Sequence, residues 1–281
     1  MKILSYEYGR RPALGIMSDR IVPIAAHWPD APRDMIGLIA DWDNWSEKLA
    51  ALADRPGEIE LDAVRLLPPI ARPGKICGIG LNYADHVAES GMETPSDQLW
   101  FSKPATAIAG PNDDIRLPRV SEQLDYEAEL VIVIGKPCRY ADAAAARAAI
   151  FGYCVGNDVS VRDWQFKTSQ FMLGKSFDSH APHGPWIVTA DAIDAANLNI
   201  QCRVNGEVRQ SSNTHHLIFD AVAQVQYLSQ VMTLEPGDLL FTGTPGGVGA
   251  GFKPPRWLRG GDLVETEIEG IGTLANRVIT D

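Results

Sequence analysis

Basic charge is scarce in this chain. Of its 281 residues, 25 are Lys or Arg and 36 are Asp or Glu, a formal net charge of -11. The one dense basic cluster is Lys253, Arg256 and Arg259, too small a stripe to displace counterions from a phosphate backbone, so nucleic-acid binding is not expected. Long apolar runs are missing as well. No stretch approaches the roughly 18 residues of a membrane helix. Glu7, Arg10 and Arg11 stand where a secretory leader would need apolar residues, so a cytoplasmic protein without membrane contact is expected. Cysteine is limited to Cys77, Cys138, Cys154 and Cys202, widely spaced and without a C-x-x-C pair. A disulfide scaffold is excluded, and buried free thiols are expected. Internal repeats and low-complexity tracts are also absent, which excludes repeat architectures.

What is present is ordinary globular composition, with 45% hydrophobic residues, 25 Gly and 19 Pro. Residues 1–70 read as a small α+β unit, with strand-like pieces at Lys2 to Tyr8 and Leu14 to Met17. Between Ile36 and Leu52 the apolar spacing suits a helix only in part. The segment LLPPIARPGK then breaks any helix or central strand, placing a boundary near Ala71. From 71 to 281 short strand patterns dominate, among them Glu129 to Gly135, Gly152 to Asn157, Trp186 to Thr189 and Leu263 to Ile268. Asn205-Gly206 predicts a hairpin turn. Two helices are predicted, over Ala141 to Ile150 and Ile218 to Met232.

Several familiar motifs fail on inspection. In TGTPGGVGAGFK, Phe252 stands where a dinucleotide fingerprint needs its third glycine and where a phosphate loop needs its lysine. Gly174-Lys-Ser-Phe-Asp178 lacks the closing glycine of a nucleophile elbow. His180-Ala-Pro-His183 has an odd spacing for zinc, and Pro182 prevents a helix there, so a loop carrying one partly exposed imidazole is expected.

One pattern survives. Asp125-Tyr-Glu127-Ala-Glu129 leads into a β-prone run, and strand alternation puts Glu127 and Glu129 on one face. Asp158 stands at the exit of the Gly152 to Asn157 run. If these carboxylates are enclosed they repel one another unless a cation intervenes, and an oxygen-only donor set suits Mg²⁺ or Mn²⁺. If they are solvated, they are only the polar residues of a strand edge. Spacing alone leaves both readings open.

Taken together, five segments resemble the fumarylacetoacetate hydrolase family: Leu81 to Glu89 (LNYADHVAE), the Glu-x-Glu strand, Gly156 to Asp163 (GNDVSVRD), Gly174 to Asp178 (GKSFD) and Gly237 to Pro245 (GDLLFTGTP). The match spans about residues 71–281 in the family's order. The stretch from Gly247 to Asp262 is similar to a bacterial subgroup that includes 2,4-diketo-3-deoxyrhamnonate hydrolase. The resemblance implies an α+β, β-rich fold, a mixed β-sandwich roll with a small N-terminal α+β domain, assembled as a homodimer. It implies Mg²⁺ or Mn²⁺ on Glu127, Glu129 and Asp158, and a small anionic 2-oxo acid substrate. The implied catalytic residues are His86, Glu89 and Lys175, with Arg162, Gln165, Thr244 and Lys103 binding substrate. The expected reaction is hydrolytic C–C cleavage of a 2,4-dioxo acid to pyruvate and a carboxylic acid. The alternative is oxaloacetate decarboxylation or 2-hydroxy-diene-dioate keto–enol isomerisation on the same metal site.

Overall fold

In the computed structural model, which describes residues 1–85 and 96–280, the chain runs through eighteen short strands and six helices among those residues. The first half contains β1 (Lys2–Tyr8), β2 (Arg11–Met17), β3 (Ile21–Pro23), α1 (Ile24–His27), α2 (Met35–Ala40), α3 (Trp42–Ala53), β4 (Arg65–Leu67), β5 (Ile76–Gly80), β6 (Leu99–Ser102), β7 (Ile108–Ala109), β8 (Ile115–Leu117), β9 (Leu124–Asp125) and β10 (Ala128–Ile134). The second contains α4 (Ala143–Ala149), β11 (Ile150–Asn157), β12 (Ser160–Val161), α5 (Arg162–Gln165), β13 (Ala181–Thr189), β14 (Asn199–Val204), β15 (Glu207–Asn213), α6 (Ala221–Val231), β16 (Leu239–Phe241), β17 (Leu263–Ile268) and β18 (Gly272–Thr280).

The large sheet follows the order β3-β2-β1-β13-β11-β10-β16-β5-β6, with β4 on β1 and β7 on β13, and the smaller sheet follows β15-β14-β17-β18-β8. Strand β10 lies at the centre, and its apolar run is explained by burial on both faces. Leu130, Ile132 and Ile134 pack with Ile200, Cys202, Val264 and Leu274 of the smaller sheet. Val131 and Val133, on the opposite face, pack with Ile3, Ile16, Leu38 and Leu49 of the N-terminal residues. The architecture is therefore the expected β-rich α+β roll, two sheets enclosing one core with the N-terminal helices on the outer face. Strand β1 pairs with β13 through Lys2↔Val188 and Ile3↔Ile187, so the N-terminal strands extend the large sheet.

Local chemistry accounts for most boundaries. Asp142 and Asp220 cap α4 and α6, accepting from Ala145 N and Ala223 N. Asn205 and Gly206, at φ 53° and 78°, join β14 to β15 through the left-handed conformations that a two-residue hairpin requires. The partial helical pattern between residues 36 and 52 resolves into two helices meeting at Asp41, which ends α2 and starts α3. All four cysteines are free, three of them buried. No helix among the described residues is long and apolar enough to cross a membrane.

The histidine pair corrects the loop reading. His183 is inside β13 and His180 immediately precedes it; both are fully buried. Strand β13 starts five residues before Trp186 because Ala181 and Pro182 pair in parallel with Ile108 and Ala109 of β7, a tertiary contact that overrides the Pro and Gly punctuation. Ile70 N donates to His183 Nε2, and His180 Nε2 sits 2.9 Å from the Arg116 carbonyl oxygen. Burial lowers both imidazoles, His180 to about 3 and His183 to about 4.

Two outcomes are expected. Ile132→Ala, which opens the centre of the core, should cost about 2–5 kcal/mol in denaturant unfolding, whereas Val231→Ala at an exposed position should stay within about 0.5 kcal/mol. The buried neutral histidines charge only on unfolding, so the unfolded chain binds more protons between about pH 4 and the ordinary imidazole pKa of about 6.5. Stability should fall as pH falls through that window, with a slope approaching about two protons per chain. His183→Asn should flatten the slope measured by unfolding at stepped pH.

Candidate active site

The β10–β11 register builds the acidic cluster. Ala128 pairs with Asn157 and Glu129 with Gly156, which sets Asp158 beside the Glu-x-Glu segment. Two further bonds fix this corner: Glu127 N donates to Asn157 Oδ1 at 2.9 Å, and Asp158 N donates to the Glu127 carbonyl at 2.9 Å. From the other side β16 pairs with β10 and delivers Gly243, whose N–H donates to Glu129 Oε2 at 2.8 Å. One carboxylate oxygen each from Glu127, Glu129 and Asp158 lies within 4.8 Å of the others. Glu127 is 5% exposed, Glu129 1% and Asp158 0%. A solvated strand edge is thereby ruled out, because the strand lies inside the sandwich and not at its rim.

Three cations answer these anions. Lys175 Nζ donates to Glu127 Oε2 at 2.7 Å and to Asp158 Oδ2 at 2.8 Å. Lys103 Nζ, wholly buried, donates to Asp158 Oδ1. Arg162 donates from Nη1 to Glu127 Oε1 at 2.6 Å and to Gln165 Oε1 at 2.9 Å, and from Nε to Asp125 Oδ2 at 2.8 Å. Nη2 of Arg162 is buried with no hydrogen-bond partner among the described residues. Burial would lower the Lys175 ammonium, but Asp158 and Glu127 outweigh it and hold the pKa above the ordinary lysine value. At Lys103 burial wins over the attraction of Asp158, and the pKa is lowered. The Glu129 carboxyl is pushed well above the usual range, chiefly by burial and then by the charges of Asp158 and Glu127.

Counting Asp125, four carboxylates face three cations. Glu129 accepts from only the Gly243 N–H among the described residues. A buried anion so placed is stabilised by a further positive charge, and the donors are all hard oxygens. Glu127, Glu129 and Asp158 therefore fit an ion such as Mg²⁺ or Mn²⁺ in both charge and chemistry.

Beside the cluster opens a cavity of about 510 Å³. Glu127, Arg162, Gln165, Lys175, Thr244 and Lys253 form its polar part, and Leu99, Phe101, Phe166, Phe171 and Val248 supply much of its apolar wall. Lys175 reaches this position because the segment Phe171–Lys175 packs hard on α5. A Cβ on Gly174 would come within 2.4 Å of Gln165 N, which explains the glycine that precedes the lysine. The Thr244 hydroxyl accepts from Gln210 Nε2 at 2.8 Å, and Gln210 Oε1 accepts from Ala128 N at 2.9 Å.

The structure thus brings together Glu127, Glu129, Asp158, Lys175, Arg162, Gln165 and Thr244. Lys103 touches Asp158 but does not line the cavity. His86 and Glu89 lie outside the described residues. Sequence reasoning missed Asp125 and Gln210. Asp125 is fully buried and accepts from Arg162 Nε, from Gly249 N at 2.7 Å and from Ala250 N at 3.0 Å. The glycine-rich segment that failed as a nucleotide motif thus uses its backbone donors on a carboxylate of the same chain. An acidic residue two positions before the Glu-x-Glu pair was the available signal for Asp125; Gln210 carried none.

The family model for the fumarylacetoacetate (FAA) hydrolase C-terminal region matches residues 75–279. The chain is 42% identical over 275 residues to the mitochondrial oxaloacetate tautomerase FAHD2A of Bos taurus, covering 95% of this chain and 88% of that protein. Among solved structures, a fumarylacetoacetate hydrolase from Exiguobacterium antarcticum superimposes with a TM-score of 0.86 at 36% identity, covering 100% of each chain. A maleylpyruvate hydrolase from Sphingobium sp. SYK-6, solved in complex with manganese(II) ion and pyruvate, gives a TM-score of 0.82 at 33% identity over 100% of this chain and 99% of that one. Its manganese agrees with the oxygen-rich, charge-deficient cluster described above. With the family model covering most of its length and the same fold found in both solved relatives, the chain belongs to the fumarylacetoacetate hydrolase family.

Proposed function

We propose that the protein is a divalent-metal-dependent enzyme that promotes enolisation of a 2-oxo acid, acting as a keto–enol tautomerase on an oxaloacetate-type substrate. The observation that carries this reading is Lys175, whose ammonium bridges Glu127 and Asp158 on the floor of the cavity. The likeness to an oxaloacetate tautomerase over 95% of the chain supports it. Tautomerisation breaks one C–H bond at C3 and forms one O–H bond at the C2 oxygen, so composition is unchanged.

Glu127, Glu129 and Asp158 would hold the metal, which supplies Lewis-acid polarisation of the 2-oxo group. The chain's own groups provide the rest. Arg162 is oriented by Asp125 and Glu127, and its Nη2, with no partner among the described residues, is a donor suited to the substrate carboxylate. Lys175 is kept charged by its two carboxylates and can donate to the C2 oxygen as negative charge develops there. Gln165 Nε2, with no partner among the described residues, adds a neutral donor beside Arg162. Leu99, Phe101, Phe166 and Phe171 give the cavity an apolar wall against which the substrate's carbon chain can rest.

Hydrolytic cleavage of a 2,4-dioxo acid is the second reading, favoured by the maleylpyruvate hydrolase likeness and by His86 and Glu89, spaced three apart in the sequence. It shares the enolate but also needs an activated water, the role proposed for this His–Glu pair. Pyruvate release from acylpyruvates would place hydrolysis first. Oxaloacetate enol–keto interconversion without carbon products would place tautomerisation first.

Mn²⁺ should raise the melting temperature, by about 2.7 kcal/mol of stabilisation at a hundredfold excess over Kd. Glu129→Gln should abolish most of that shift together with activity; retention of both would remove the metal assignment. Lys175→Met should lower kcat by about 10²–10³ in a spectrophotometric enol assay, the scale expected for loss of one preorganised donor. The Mn²⁺-induced melting shift should persist in this variant.

A further inference from the structure

The wall of the cavity formed by the glycine-rich segment carries a cation that the enolisation step does not use. Among the described lining residues the basic side chains are Arg162, Lys175 and Lys253, and the one acidic side chain is Glu127. Arg162 and Lys175 are committed to Asp125, Glu127 and Asp158. Lys253 is exposed and makes no hydrogen bond or ion pair to any described residue.

Its place is set by the segment that carries it. Gly249 N and Ala250 N are held on the Asp125 carboxylate. Arg256 N donates to the Gly249 carbonyl at 2.9 Å, and Phe252 N to the same oxygen at 3.4 Å. The guanidinium groups of Arg209 and Arg256 lie 5.5 and 5.1 Å from the centre of the Phe252 ring. With Phe252 occupied by these arginines, its neighbour Lys253 joins Val248, Ala250 and Gly251 in lining the cavity. One carboxylate, Asp125, thus positions both Arg162 and the segment bearing Lys253.

We propose that Lys253 selects the substrate by binding a second carboxylate, at the far end of a 2-oxo dicarboxylic acid, whose hydrocarbon spacer lies against Leu99, Phe101 and Phe166. This rests on the reading that the 2-oxo acid head is held near Lys175 and Arg162. A monocarboxylic 2-oxo acid would leave the Lys253 charge unmatched. A dicarboxylate would satisfy both ends while its spacer covers apolar surface. Lys253 touches no reacting atom, so it is a specificity determinant and not a participant in proton transfer.

The test is calorimetric binding to the Mn²⁺-saturated full-length chain, which needs no turnover. The ligands are matched pairs of equal carbon number: 2-oxoglutarate against 2-oxovalerate, and 2-oxoadipate against 2-oxohexanoate. In the wild type, one diacid should bind about tenfold more tightly than its matched monoacid, with a preference that weakens as salt is added. Lys253→Gln should remove the preference and its salt dependence while monoacid affinity is unchanged, and Lys253→Arg should retain it. Both pairs binding with no diacid preference, or a preference that survives in Lys253→Gln, would overturn the assignment of Lys253 alone. Failure of both series to bind would overturn the 2-oxo acid reading, and this proposal with it.

Discussion

Everything in the site depends on keeping several carboxylates together out of water. Glu127, Glu129, Asp158 and Asp125 are all buried, and an isolated buried carboxylate would take up a proton before it accepted that environment. Lys175, Lys103 and Arg162 offset most of the cost through ion pairs that are themselves nearly dry. The pairing is incomplete at Glu129, which among the described residues has one backbone donor and whose pKa is raised well above the usual carboxylate range. That imbalance is where a divalent cation has the most to contribute. Buried ion pairs of this kind are poor sources of stability but costly to break singly, which suits a site that needs fixed geometry.

The fold pays for this arrangement with apolar burial on both sides of β10. Leu130, Ile132 and Ile134 face the smaller sheet, and Val131 and Val133 face the N-terminal elements. The strand that begins at the acidic pair is therefore among the most constrained in the molecule. The neighbouring exits of β11 and β16 inherit that rigidity, because Asn157 and Gly243 hydrogen-bond directly to the Glu-x-Glu segment. Asp125 extends the constraint outward, tying Arg162 and the glycine-rich segment to the same corner. A protein of net charge -11 can still present a cationic cavity to an anionic substrate. Arg162, Lys175 and Lys253 line the pocket against one acidic side chain among the described residues, Glu127.

Legibility followed the range of the interactions. Strand β1 was readable from residues 2 to 8, the hairpin turn from Asn205-Gly206, and the two helices α4 and α6 from their composition and apolar spacing, because each depends on neighbours in sequence; the start of α6 at the Asp220 cap, rather than at Ile218, was not read. The start of β13 was not readable, since Pro182 is held in the sheet by a parallel partner some seventy residues upstream. The burial of His180 and His183 follows from the same docking. Gln210 shows no local pattern at all, yet its carboxamide links Ala128 to Thr244 and Pro245.

The sequence by itself determined the kinds of groups available: two carboxylates on one strand face, a third at the exit of another, a lysine after an obligatory glycine, and an arginine four residues past Asp158. It also carried enough motif to imply the family. Only the tertiary structure decided that these carboxylates are enclosed and not solvated, and which cation each one meets. It also showed that one nitrogen of Arg162 has no partner among the described residues and that Lys103 is turned to Asp158 and does not line the cavity. The physical reason is that side-chain alternation is a property of one strand, whereas burial and charge balance belong to the sheets, turns and loops that converge on it.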